Sequence, residues 1–381
     1  MTGRGWVGAA LVLLAAARGV DAQTDRRATE AAHRAEALAA RGDAGGALAL
    51  LWTASGLAPG DADIQMRLAS ALERVGALDA AIDAWRLALA ARAGDRKATR
   101  GLVLALVAAG RSPDAVVLAR AGVEAAPKDV EALVTLGLAQ SEQDVAAALE
   151  TMQAALARAP DHTLARYNLA LLLKRVDRVD EAITHLNRMI AREPRPEAYY
   201  ALGVAAWHRG DAARATEALE AAIASDPTSP DAHHMLGAVR ASARDWSGAT
   251  ASLRRALALR PQAETHDVLA RVLRAAGDEA GARTHRTEAE RLRLTAAREH
   301  EARVWTSLGT GRLEQGDAMG ALDALRKAVA VDATYAPAHF QTGRTLDRLG
   351  EASAADDAYR RAQRLNPRLV APPREARPAR P

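Results

Sequence analysis

Two adjacent histidines, His233 and His234 in DAHHMLGAVR, are the first residues in this chain to suggest chemistry. Neutral imidazole is the commonest metal ligand, and histidine is the commonest general base near neutral pH. A site needs convergence, however, and neighbours on a helix point about 100° apart, so two adjacent rings diverge. The stretch HEARV (300–304) opens like a zinc-protease helix, but Val304 stands where the second ligand would be. None of the ten histidines has another four residues away. The chain has no cysteine, which removes disulfides, thiolate metal sites and a cysteine nucleophile. No nucleophile elbow, phosphate-binding loop, dinucleotide fingerprint or calcium-binding loop is present. The carboxylates fall at helix starts or on solvated faces. We expect no catalytic residue, no metal, no cofactor and no enzymatic activity, so the informative residues are those that could bind a partner.

The elements that position them are helices. Hydrophobic residues make up 49% of the chain, but aromatics only 3%, with a single phenylalanine. Alanine and leucine dominate, both strong helix formers, and the residues that favour strands are scarce. Small side chains in such numbers imply helices that approach closely. The formal charge is +4, too small on 381 residues for strong electrostatic steering. The cations are nearly all arginine, with lysine only at Lys97, Lys128, Lys174 and Lys327.

The chain also repeats itself. Ala47, Ala81, Ala115, Ala148, Ala182, Ala215, Ala249, Ala282, Ala321 and Ala355 follow one another at spacings of 33 or 34, with one step of 39 between Ala282 and Ala321. Seven residues beyond each lies a second small residue, broken only by Met189. Proline often follows at twelve, as at Pro59, Pro127, Pro160, Pro194, Pro227, Pro261 and Pro367. Upstream by twelve stand Gly203, Gly237, Gly309 and Gly343, and by eleven Gly137. Turns such as RGD (41–43 and 209–211) and QGD (315–317) pair a glycine, which ends one helix, with an aspartate, which caps the next. A lone helical hairpin cannot bury its apolar face, so the units must stack.

This pattern resembles the tetratricopeptide repeat, W-x2-L-G-x2-Y followed by A-x3-F and later A and P. The ninth unit matches with Trp305, Leu308, Gly309, Ala321, Leu325 and Ala328, and the sixth with Tyr199, Leu202, Gly203, Ala215, Leu219, Ala222 and Pro227. Ten units run in register over residues 28–367. The resemblance implies an all-α fold, a right-handed α-solenoid of stacked helix-turn-helix repeats. It also implies that the first helix of each unit lines a groove through fixed positions. Carried over, these positions give Tyr167, Asn168, Lys174 and Arg175 in the fifth unit, and Glu197, Tyr200, Trp207 and His208 in the sixth. The seventh gives His234, with Asp231 nearby, and the eighth Asp267, Arg271 and Arg274. His233 falls at a packing position between helices. Asn168 sits in RYNLA, like the form that presents an amide to the groove. Only one unit has it, so neither an asparagine ladder nor the two-lysine, two-asparagine clamp for chaperone C-termini is expected.

Three departures carry expectations of their own. Unit four has lost one turn residue (141–143), and unit three has Val103 where glycine is usual. Between units eight and nine there is no proline and no internal glycine from 282 to 308, which predicts a lengthened helix. The ending RLVAPPREARPARP (368–381) has no apolar period and reads as a disordered basic tail.

At the other end, Arg4, an apolar run from Trp6 to Ala17, and Val20 and Ala22 before Gln23 have the layout of a cleavable secretory signal. The organisation is then a signal at 1–22, repeats one to eight at 23–294, the lengthened helix with repeats nine and ten at 295–367, and the tail. The function expected is an exported scaffold, periplasmic or secreted, that binds an extended peptide or partner surface of another protein in its groove. Two alternatives stand beside it. One is an assembly factor of the cell envelope tethered by an uncleaved N-terminus, the only route to a membrane. The other is an RNA-binding helical repeat, disfavoured because the glycine and alanine positions follow the protein-binding pattern. No nucleic acid is therefore expected.

Overall fold

Two local devices recur along the repeats. In all but the fourth the chain leaves the first helix through a residue in the left-handed region, and in repeats one, four, six, seven, eight and nine an aspartate then caps the second. Gly42, Gly76, Gly110, Gly210, Gly277, Gly316 and Gly350 all adopt positive φ between 74° and 90° at this turn. Only glycine enters that region without steric cost. Asp177 and Arg244 occupy the same step in repeats five and seven, at φ 63° and 61°. In the shortened turn of repeat four no described residue has positive φ. The aspartate that follows accepts a bond from the backbone N–H three residues on. This occurs from Gly46 to Asp43 at 2.8 Å, from Gly248 to Asp245 at 2.9 Å and from Gly320 to Asp317 at 2.8 Å. Each such cap contributes about 1 kcal/mol.

In the computed structural model, which describes residues 22–372, these devices give nineteen α-helices and, among the described residues, no strand. They are α1 (Ala22–Ala40), α2 (Ala44–Leu57), α3 (Ala62–Arg74), α4 (Leu78–Ala91), α5 (Arg96–Ala108), α6 (Ser112–Ala125), α7 (Val130–Gln140), α8 (Val145–Arg158), α9 (Thr163–Arg175) and α10 (Val179–Arg192). Then come α11 (Pro196–His208), α12 (Ala212–Ser225), α13 (Pro230–Ser242), α14 (Trp246–Leu259), α15 (Ala263–Ala275), α16 (Glu279–Glu314), α17 (Ala318–Val331), α18 (Ala336–Leu349) and α19 (Ala352–Leu365). Ten repeats give nineteen helices because α16, 36 residues without interruption, is both the second helix of repeat eight and the first of repeat nine. The architecture is an all-α solenoid.

The small residues sit where helices cross. Ala47, Ala81, Ala115, Ala148, Ala182, Ala215, Ala249, Ala282, Ala321 and Ala355 are all fully buried. Upstream, a Cβ on Gly203 would lie 2.6 Å from Leu219 Cγ and 3.3 Å from the Ala215 carbonyl, and Gly237 meets Leu253 and Ala249 at the same distances. At these two crossings the missing Cβ leaves room for the leucine sixteen residues on. Repeat three inverts the pair: Val103 is fully buried at the glycine position, and sixteen residues later stands the small Ala119.

The described residues divide into two compact units. One comprises residues up to 125 together with those from 298, and the other residues 126–297. The second holds repeats four to eight. The first holds repeats one to three together with nine and ten.

The expected secretory signal lies almost wholly outside the described residues; the described chain begins at Ala22, in α1. The tail expectation is corrected over its first residues. Asn366 and Pro367 turn the chain, Leu369 is fully buried, and a Cβ on Gly45 would meet the Pro367 carbonyl at 3.2 Å and Val370 at 3.7 Å. One apolar residue without periodic neighbours was enough to anchor this segment. Residues 373–381 lie outside the described part.

Candidate groove of repeats five to eight

The groove residues of repeats five to eight are carried by α9, α11, α13 and α15, all within one unit. At the fifth repeat position stand Tyr167, Tyr200 and His234, each half-buried. Burial raises the Tyr167 hydroxyl pKa, and Glu197, from the start of the next repeat, raises it further. Burial likewise raises Tyr200, helped by Asp231 of the repeat after it. For His234 burial dominates and lowers the imidazole pKa, against the opposing pull of Asp231 and Glu264. Each ring thus lies beside the carboxylate that opens the following first helix.

Cations gather toward the other ends of the same helices: Lys174, Arg175 and His208 lie seven or eight residues beyond the ring position, about 11 Å along the axis. Lys174 and Arg271 make no hydrogen bond or ion pair among the described residues, and His208 is exposed. Arg175 donates to the Ser141 carbonyl at 2.7 Å and reaches Glu142 at 3.5 Å. Arg274 approaches Glu279 at 3.8 Å, and Arg271, Arg274 and Arg286 line one concavity of about 350 Å³ with Asp267. Asp231 pairs with Arg260, and Asp267 with Arg293. Of these first helices, α11, α13 and α15 start with a carboxylate in the first turn, and α9, α13 and α15 end with a cation in the last.

Two expected contact residues have part of their capacity engaged. Asn168 donates through its side-chain nitrogen to the Leu164 carbonyl at 2.8 Å. One amide hydrogen and the carbonyl oxygen remain for a ligand. Trp207 packs, with Tyr200, against the cluster of Ala206, Ala215, Leu219, Leu236 and Val239, which leaves only part of its face outward.

His233 and His234 separate as the register requires. His233 Nε2 lies 3.2 Å from the Pro227 carbonyl, while His234 Nδ1 lies 2.8 Å from Thr265 Oγ1. The histidines that do meet escape any reading of spacing along one helix. His266 on α15 and His285 on α16 face each other with their Nδ1 atoms 2.8 Å apart and ring centroids 5.0 Å apart. One ring must donate and the other accept, so at least one of the two rings is neutral with its Nδ1 unprotonated. Burial lowers both imidazole pKa values, followed by the His285 ring at His266 and by Arg254 at His285. The signal was the repeat itself: Arg166 and His185, also nineteen residues apart, approach at 3.5 Å in repeat five. No group of three or more metal-ligating side chains converges among the described residues.

With this geometry established, comparison with known proteins assigns the family. A tetratricopeptide repeat family model matches residues 100–163, 167–230 and 306–369, together about half of the chain. The chain belongs to the tetratricopeptide repeat family. No curated protein sequence matches it. Among solved structures, it is similar to a tetratricopeptide repeat protein from Parabacteroides merdae, 18% identical, over 65% of this chain and 99% of that one, with a TM-score of 0.55. It is also similar to pilF of Pseudomonas aeruginosa, 21% identical over 52% of this chain and 91% of that one, with a TM-score of 0.47. PilW, described as a type IV pilus biogenesis factor, is 18% identical over 49% of this chain and 88% of that one, with a TM-score of 0.46. Tetratricopeptide arrays are scaffolds for protein–protein interaction, and the repeats here are of that kind.

Proposed function

We propose that this tetratricopeptide protein is a non-enzymatic scaffold that holds an extended peptide or partner surface of another protein across the first helices of repeats five to eight. The observation that carries the reading is the ladder of Tyr167, Tyr200 and His234, each beside a carboxylate of the next repeat. Lys174 and Arg271, without a partner among the described residues, stand toward the opposite edge. Rigid aromatic rings supply contact area at low entropic cost, and the two charged edges fix the direction in which a chain can lie. Asn168 adds an acceptor and a donor for the backbone of such a chain. Trp207 and His208 would extend the contact surface, and Arg175 would do so after releasing Glu142.

The signal-like N-terminus supports placing this scaffold in the periplasm or outside the cell. Among the described residues no helix is long and apolar enough to cross a membrane. Uncleaved, the same N-terminus would make the protein a tethered assembly factor, and the mass of the native N-terminus separates the two: a chain beginning at Gln23 is the exported form. The test of the groove is Tyr200→Ala combined with Asn168→Ala. Proteins that co-purify with the wild-type chain from the cell envelope should be captured at least about tenfold more weakly, with melting temperature unchanged. Undiminished capture by a folded double variant would remove the groove reading.

A further inference from the structure

The first-helix face of repeats nine and ten, unlike that of repeats five to eight, is already filled. Its groove positions are Thr306, Thr310 and Glu314 on α16 and Phe340, Gln341 and Arg344 on α18. Thr306, Thr310, Phe340 and Gln341 are at most 4% exposed. Facing them are Asp79, Asp83 and Arg86 of repeat two and Arg111 of repeat three, while Phe340 packs on Tyr359 of repeat ten itself. Thr310 Oγ1 donates to Asp79 Oδ2 at 3.1 Å, and Gln341 Nε2 lies 3.4 Å from the same oxygen. Arg344 donates to Asp83 and, at 3.0 Å, to Gln341 Oε1. Glu314 accepts from Arg86 at 3.0 Å and from Arg111 at 3.2 Å. Asp79, Asp83 and Arg86 stand at i, i+4 and i+7 on α4, one stripe of a single helix.

We propose that repeats nine and ten form a helix-binding site whose built-in occupant is α4, and that the site accepts in trans an amphipathic helix carrying aspartates at i and i+4 with an arginine at i+7. The groove supplies a matching set for each group: hydroxyl and amide for the first aspartate, guanidinium for the second, carboxylate for the arginine. Such a polar seam is reversible in a way that an apolar one is not, because its parted groups are readily hydrated. The occupant is joined through its own chain, so its effective concentration is high, and a competing helix must overcome that advantage. The site is therefore latched until such a helix arrives. This inference concerns other repeats than the open groove above and does not depend on it.

A labelled synthetic peptide of residues 76–93 tests it, with binding to the full chain followed by fluorescence anisotropy. Asp79→Ala with Asp83→Ala in the chain weakens the internal occupant and should raise affinity for the unaltered peptide at least tenfold over wild type. Adding Arg344→Ala should abolish that gain, as should the same two aspartate changes made in the peptide. Asp83→Ala alone serves if the double change unfolds the chain by circular dichroism. The cysteine-free sequence allows an independent arm. Gly45→Cys with Val370→Cys, placed where a Cβ would lie 3.7 Å from the valine Cγ2, ties repeat ten to repeat one. Oxidised, this chain should exclude the peptide, and reduced it should bind as wild type does. Equal binding by oxidised and reduced chains, or a gain indifferent to Arg344, would overturn the proposal.

Discussion

The first helices of repeats five to eight and those of repeats nine and ten share one register, yet they meet different surroundings. In the former, the groove positions hold half-buried rings and cations such as Lys174 and Arg271 that have no partner among the described residues. In the latter, the same positions hold Thr310 and Gln341, buried against Asp79, and Arg344, paired with Asp83. A repeat position thus specifies where a side chain is carried, and its surroundings decide whether it is a contact waiting for a ligand or one already made. Titration separates the regions too. Burial raises the Asp79 carboxyl pKa, outweighing the Thr310 bond and the nearby Arg344 charge. Around the open groove the shifted groups are histidines and tyrosines.

The comparison is broken most forcefully at Arg344. Arg344→Ala should remove the cation shared by the half-buried Asp83 and the more deeply buried Asp79 and cost about 2 kcal/mol, read as a lower unfolding transition. The same truncation at Lys174 should change stability by less than about 0.5 kcal/mol. Equal effects would mean that the two faces are not differently engaged. Of similar size, Gly203→Ala should cost about 2 kcal/mol, because its new Cβ meets both Leu219 and the Ala215 backbone. Hydrogen exchange should place that loss in residues 126–297 and leave the Asp79 seam protected.

A smaller change, and a favourable one, is expected at the turn of repeat seven. Arg244→Gly relieves a left-handed backbone and should add about 1 kcal/mol of stability, measured by denaturant midpoint. Smallest is the response to acid. The folded-state pKa values of His185, His234, His266 and His285 all lie below the ordinary 6.5, with burial the largest cause in each. The unfolded chain therefore binds protons first as pH falls below 6.5. Stability contributed by these rings is whole above 6.5 and is lost as pH falls toward their folded values. His266→Gln should flatten that dependence in thermal melts between pH 7 and 5; an unchanged slope would show that the paired rings do not titrate as a unit.

Much of this was legible in the sequence. The alanine period fixed the repeats, because a crossing of two helices admits only a small side chain whatever lies around it. The glycine-aspartate turns marked where helices stop and start, and the absence of a break after Ala282 foretold one long helix. The divergence of His233 and His234 followed from helical geometry alone. What stayed hidden depended on residues far apart in the chain. Asp79 and Thr310 are separated by 231 residues, and nothing in either local sequence names the other. The His266–His285 pair crosses two helices, and Leu369 gave no periodic sign that it would be buried.

The sequence by itself therefore determined the repeat, its turns, its helix crossings and the side chains that each first helix carries, since these follow from interactions within about 34 residues. Only the tertiary structure decided which of those first-helix faces stay open. That choice rests on burying charged and polar groups against distant partners, and desolvation makes such groups costly until every partner is in place.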